Sequence, residues 1–180
     1  MILAGASSSL DGAPPIVTLE LDADSFAVLD ALRRRHFPPE RNVLSAHLTL
    51  FHKLPGEEIE TVDAVLAEIA ARTPPLLLDI AGLRFLGYGS AYEIVSPALI
   101  RLRAELAIAF EPWLTPQDRQ RFAPHVTIQN KAPAAEAKRL FQTLTEDFQP
   151  TTATGTGLAL WHYRGGPWEA AGRFPFEGPA

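Results

Sequence analysis

Two tripeptides of this 180-residue chain carry the side chains of a proton-transfer site, His47-Leu48-Thr49 and His125-Val126-Thr127. Each lies in a short run of alternating character and reads as a β-strand, in which every second side chain shares a face. His47 and Thr49 therefore point one way, and Leu48 and Leu50 the other. His125 and Thr127 stand in the same way opposite Val126 and Ile128. An imidazole titrates near neutral pH, so one of a pair can take a proton from an attacking oxygen while the other gives one to a leaving oxygen. A threonine hydroxyl two positions along the same face can donate to a non-bridging phosphate oxygen, and a protonated imidazole adds charge-assisted stabilisation. This set suits phosphoester cleavage with neither a metal ion nor any other cofactor. A single His-x-Thr in a strand is ordinarily structural. The weight here lies in the pair.

The pair belongs to an internal repeat. Aligning HLTLFHKLP from residue 47 with HVTIQNKAP from residue 125 matches Lys53 with Lys131 and Pro55 with Pro133, without a gap. Each copy leads from a strand into a helix opened by proline, and each is preceded by a strand and a helix. The unit is too long for a solenoid repeat. It describes instead two similar halves of a single domain over residues 15–180, about 15–86 and 91–176, facing each other about a pseudo-twofold axis. Such halves set the two His-x-Thr faces across a cleft.

Alternation and turn signals place the remaining elements. Strands are expected over Ile16–Leu21, Ala46–Phe51, Leu76–Leu86, Ala91–Ser96, His125–Gln129, Leu158–Tyr163 and Gly172–Phe176. Helices are expected from a cap at Asp22 or Asp24 to about His36, and from Pro55 to Arg72, Pro97 to Trp113 and Pro133 to Asp147. Residues 1–14, rich in Ser, Gly and Pro, read as a flexible lead-in without the basic flank and apolar stretch of a signal peptide.

Composition narrows the setting. Hydrophobic residues at 47% and charged residues at 21% are ordinary for a soluble globular protein. With no cysteine, disulfides, thiolate metal sites and Cys nucleophiles all drop out, which suits a reducing cytoplasm. A net charge of -5 argues against duplex DNA as a partner, since such binding needs a basic surface, but leaves room for a small phosphorylated substrate. No apolar run reaches the ~18 residues of a membrane span. The expectation is a cytoplasmic protein for which a monomer suffices.

On AHLTLF at 46–51 and APHVTIQNK at 123–131, with the order of flanking elements over about Ile16 to Phe176, the chain resembles the 2H phosphoesterases. These are named for paired His-x-Thr/Ser motifs, and the likeness is to the bacterial 2′-5′ RNA ligase and 2′,3′-cyclic phosphodiesterase-like proteins in particular. The resemblance implies an α+β, bilobal fold of two pseudo-twofold-related halves, with antiparallel sheets forming a central cleft and helices outside. It implies hydrolysis of a 2′,3′-cyclic phosphate or a 2′-linked phosphodiester of RNA ends or small nucleotides. His47 and His125 would then be the acid/base pair, with Thr49 and Thr127 the phosphate binders. Several family members carry a basic residue shortly after the second motif; here Gln129 stands there, and Lys131 follows two positions later.

Other residues are candidates for substrate contact. Phe51, on the predicted face of His47, can offer a platform for a nucleobase, as against being a rim hydrophobe. Gln129, at the equivalent place in the second half, can donate to phosphate or base, as against facing water. Lys131, and less so Lys53, can attract phosphate from a strand end, although solvated lysines are commoner. Among Tyr88, Tyr92, Tyr163 and Trp168 packing is the expected role, and Tyr163 near Gly165-Gly166 is the one placed to line the groove mouth. His36, His52 and His162 lack the motif and read as structural or surface residues. The run Arg33-Arg34-Arg35 reads as a solvated helix end near its own dipole.

Two other functions draw on the same residues. A non-catalytic module that binds RNA ends or nucleotides leaves two complete motifs without a purpose. A metal site on His47 and His125 lacks an Asp or Glu at the matching same-face positions, and two imidazoles alone make a poor catalytic metal site.

Overall fold

Strand alternation and helix caps act where the sequence places them in the computed structural model, which describes residues 12–179. Most of the expected lead-in lies outside that range. In chain order the elements are β1 (Pro15–Leu21), α1 (Ala23–His36), β2 (Leu48–Phe51), α2 (Ile59–Arg72), β3 (Leu76–Phe85), β4 (Ser90–Val95), α3 (Pro97–Ala109), β5 (His125–Gln129), α4 (Ala134–Glu146), β6 (Thr151–His162) and β7 (Glu169–Pro175). Asp22 caps α1, accepting from the Ser25 N–H at 2.9 Å, and its other oxygen takes the Thr154 N–H at 2.7 Å. One carboxylate thus starts a helix and ties it to β6. Ser96 caps α3 at the Leu99 N–H, with Pro97 at the first helical position.

Several boundaries differ from expectation: β2 begins at Leu48 and not Ala46, α2 at Ile59 after a 3-10 turn over Gly56–Glu58, and β7 at Glu169. Two further differences have a clear cause. The helix from Pro97 stops at Ala109, and Glu111–Trp113 forms a separate 3-10 turn, because Pro112 has no N–H to continue an α ladder. Strand β6 begins at Thr151 instead of Leu158. Its first part, TTATGTG, has no apolar alternation of its own and is a strand because it pairs with β1 on one side and β3 on the other. Gly155 lets that pairing close, since a Cβ there would meet the Leu19 side chain at 3.1 Å.

All pairings are antiparallel and form one sheet in the order β2-β1-β6-β3-β4-β5, with β7 on β6. The pseudo-twofold relates β2, β1 and β6 to β5, β4 and β3, so the two lobes share one continuous sheet joined at β6–β3. The lobes also exchange their third strands relative to a division at about residues 86–91. Helices pack on one face over a core that includes Val17, Leu19, Leu48, Leu50, Val126, Ile128, Leu158 and Leu160. Each such side chain contributes about 1.5–3 kcal/mol by burial.

Strands β2 and β5 stand at opposite ends of this order, yet the sheet curls until they approach each other. They form no ladder, and the sheet stays open. Edge strands leave carbonyls unpaired, and here two buried arginines meet them. Arg103 of α3 donates from Nε to the Leu50 carbonyl and from Nη2 to the Asp118 carbonyl, both at 2.7 Å, with its guanidinium 3.7 Å from the Phe51 ring centroid. Arg33 of α1 donates from Nη1 to the Thr127 carbonyl at 2.9 Å and from Nε to Asn42 Oδ1 and the Leu44 carbonyl. At 4% exposure Arg33 is a core residue and not the solvated helix end its neighbours suggest. Each motif-bearing edge is thus held by an arginine from the other half.

Candidate active site

Register decides which residues share the cleft face. Thr49 pairs with Thr18 and Leu48 with Leu19, while Thr127 pairs with Ala91 and His125 with Glu93. Thr49 and Thr127 are half-buried on faces opposite the fully buried Leu48 and Val126, as alternation requires. The approach of β2 to β5 brings the two motifs together, and His125 lies near enough to His47 to influence its titration.

Alternation then fails at the same place in both halves. Between Thr18 and Val17 the partner strand advances from Thr49 to Phe51, leaving Leu50 as an extra residue. Between Ala91 and Ser90 it advances from Thr127 to Gln129, leaving Ile128 extra. A bulge turns the following side chain to the other face. Phe51 is therefore not a base platform: it is 0% exposed, edge-on to Phe110 at 5.2 Å and beneath Arg103. Gln129 is 1% exposed and neither faces water nor lies on the cleft face. Its Nε2 donates to the His36 carbonyl at 3.2 Å and to Glu136 Oε1 at 3.3 Å. Lys131 sits exposed in the turn beyond β5 with φ 60°, outside the strand geometry that would have aimed it. Tyr163 is 45% exposed past the end of β6, and the cavity beside His47 is lined by neither Tyr163 nor Thr49, His125 and Thr127.

Both histidines are held alike. Nδ1 of His47 lies 2.7 Å from the Ser45 carbonyl, and Nδ1 of His125 lies 2.9 Å from the Ala123 carbonyl. A carbonyl only accepts, so each Nδ1 carries the proton and each Nε2 is the ring atom left for a substrate. Burial lowers His47 most, to about 4; the bond to Ser45 opposes this, and Arg33, His125 and His52 add to the lowering. At neutral pH His47 is accordingly uncharged. Perturbation of this kind in a cleft marks a candidate site. A pair that works with one shared proton fails when the second proton binds. We expect the acid limb of kcat/KM for a cyclic nucleotide near pH 4, not near the ordinary imidazole value. A pH–rate profile checks it, and a limb near 6.5 would mean that His47 is not the titrating group.

Behind the site, His52 pairs with Asp118, Nδ1 to Oδ1 at 2.9 Å, and the His52 and Lys53 N–H groups donate to the same carboxylate. Burial alone would raise Asp118, but these hydrogen bonds hold it below the ordinary carboxylate value. Asp118 thereby anchors the end of β2. Among the described residues no group of three His, Cys, Asp or Glu is placed to hold a metal ion, and no helix is long and apolar enough to cross a membrane.

A cleft of about 510 Å³ opens beside His47, lined among others by Thr18, Glu20, Trp161, Trp168 and Arg173. The Trp168 ring lies 4.7 Å from that of His47 and 6.2 Å from that of Trp161, whose Nε1 donates to Thr18 Oγ1 at 2.9 Å. The sequence reading chose Phe51 by its face and Tyr163 by its nearness to Gly165-Gly166, gave Trp168 a packing role and did not weigh Trp161. The signal of the two tryptophans lay in pairing β1 with the chain's end, which local periodicity does not reveal.

The chain belongs to the 2′-5′ RNA ligase superfamily, whose family model matches residues 20–167, and with it to the 2H phosphoesterases. No curated protein matches the chain by sequence. Among solved structures, TT0787 of Thermus thermophilus is similar at 20% identity, covering 93% of this chain and 100% of that one with a TM-score of 0.66. A structure described as a phosphoesterase matches at 20% identity, with 92% and 99% coverage and a TM-score of 0.61. Escherichia coli LigT complexed with 3′-AMP matches at 19% identity, with 92% and 99% coverage and a TM-score of 0.61. At such identities the likeness is one of fold.

Proposed function

We propose that the protein is a metal-independent phosphoesterase that hydrolyses a 2′,3′-cyclic phosphate or a 2′-linked phosphodiester at RNA ends or on small nucleotides. The observation that carries this reading is the duplicated histidine geometry. Two imidazoles come from approaching edge strands, each with Nδ1–H on the carbonyl two residues upstream and each with Nε2 left for one phosphate between them. One Nε2 takes the proton of the attacking water while the other returns one to the departing ribose oxygen. The hydroxyls of Thr49 and Thr127 donate to the non-bridging oxygens, where negative charge concentrates. Similar LigT structures hold 3′-AMP, phosphate, ATP or NADP+, which supports a small nucleotide as occupant of this cleft.

The test is product analysis with 2′,3′-cyclic nucleotides in excess chelator. Turnover is expected at the rate seen without chelator. Strict dependence on an added divalent cation would overturn the mechanism. Saturable binding with no product would make the protein a binding module on the same scaffold.

A further inference from the structure

The cleft beside His47 runs along β1 to Glu20 and is bordered by Thr156 and Trp161 of β6 and by Arg173 of β7. The β1–β2 register ends at Leu19 with Leu48, and the next residues outward, Glu20 and His47, both line the cleft. Beyond Glu20 on β6 stand Gly157, its partner in register, and Ala159, opposite Arg173 of β7. A Cβ at Gly157 would lie 2.7 Å from the Phe174 carbonyl oxygen of β7 and 3.3 Å from Glu20 Oε2, so the β7 backbone and the Glu20 carboxylate both close over β6 where no side chain stands. Arg173 reaches back across the same gap, its Nε 3.0 Å from Glu20 Oε1. Trp168 and Trp161 form one wall of this space, and Val43 and Leu44 line it as well.

We propose that this end of the cleft is a base-reading subsite whose preferred occupant is guanine, lying against Trp168 with its Watson–Crick edge on the Glu20–Arg173 pair. The assignment rests on the phosphoesterase reading for the adjoining histidines. Donor and acceptor order selects the base. A guanidinium beside a carboxylate presents donor, acceptor, acceptor, and the guanine edge presents acceptor, donor, donor in O6, N1–H and N2–H. Adenine and cytosine supply one amino group and one ring acceptor, matching two of the three places. Uracil sets O2 against the second carboxylate oxygen. Stacking on tryptophan serves every base and selects none.

Position agrees with this. The Glu20–Arg173 contact lies between one and two strand spacings from β2, about 5–10 Å, a span that a nucleotide covers from phosphorus to base edge. In the other half Glu93, the pseudo-equivalent of Glu20, stands across from His125 and pairs with Arg84 of β3 at 3.0 Å, a strand nearer than the β7 position of Arg173. Trp161 and Trp168 flank only the His47 side, which puts the base there.

The experiment compares kcat/KM for the four nucleoside 2′,3′-cyclic phosphates in the wild type and in Glu20→Gln, with folding checked by circular dichroism. The guanosine substrate is expected to exceed the uridine one by roughly tenfold or more, the discrimination of one good bidentate contact. Glu20→Gln should collapse that ratio towards one, chiefly through KM. Equal values for all four bases in the wild type, or an equal loss on all four in the variant, overturn the subsite and leave the catalytic reading standing. If none of the four turns over, calorimetric titration with 3′-GMP and 3′-UMP decides. Tighter 3′-GMP binding that Glu20→Gln abolishes keeps the subsite while the hydrolytic reading fails, and equal binding overturns the subsite.

Discussion

Replacing His125 with alanine lowers kcat on a 2′,3′-cyclic nucleotide by about 10²–10⁴-fold, the contribution of one positioned general acid or base, and His47→Ala does the same. Neither loss is one of folding. Both rings lie on the cleft face, and each gives up one hydrogen bond to a carbonyl, a net change of about 0.5–1.5 kcal/mol. KM should move little, since the threonines and the far end of the cleft still hold the substrate. The double variant should be hardly slower than either single one, because one imidazole cannot complete the transfer that the other begins. A folded His47→Ala or His125→Ala variant with wild-type kcat would take that residue out of the chemistry. A loss confined to KM would make it a binding group.

Which features were legible in the sequence follows from how local their causes are. His47, Thr49, His125 and Thr127 could be placed on shared faces because two-residue alternation is a property of a few consecutive residues. The start of α1, narrowed to Asp22 or Asp24, and the proline-led helix starts at Pro97 and Pro133 were legible for the same reason. Phe51 and Gln129 were not. The bulges at Leu50 and Ile128 are defined by the partner strands, and a face assigned by counting fails one residue past a bulge. That both bulges fall at the same place in the repeat shows the pseudo-twofold extending to irregularities. The polar start of β6 was missed because pairing with β1 and β3, at large sequence separation, makes it a strand. The cleft-lining residues Glu20, Trp161, Trp168 and Arg173 come from β1, β6, the β6–β7 turn and β7. Only the sheet order brings them together.

Arg103→Met should lower stability by about 2–4 kcal/mol, since two buried carbonyls, those of Leu50 and Asp118, lose their donor at ~1–3 kcal/mol each, partly offset by removing a buried charge. At roughly 2–4 °C per kcal/mol for a chain of this length, the melting temperature falls by about 5–15 °C. The effect is large because Arg103 stands where a neighbouring strand would be: β2 is an edge, and this guanidinium is the donor its Leu50 carbonyl has. It also fills space against Phe51 and Phe122, so methionine replaces its volume and not its bonds. Arg103→Lys separates the two. An ammonium on a flexible stem does not reproduce a planar fork that bonds two carbonyls and lies on a ring, so lysine should recover little of the loss although the charge is kept. Thermal unfolding of both variants reads this directly. Full recovery by lysine would show that charge beside Asp118, and not the capping of a sheet edge, is what Arg103 supplies; an unchanged melting temperature in Arg103→Met would show that the edge needs no cap. The loss should reach the reaction as well, because the Leu50 carbonyl lies one residue beyond Thr49, and a β2 edge free to move takes His47 with it.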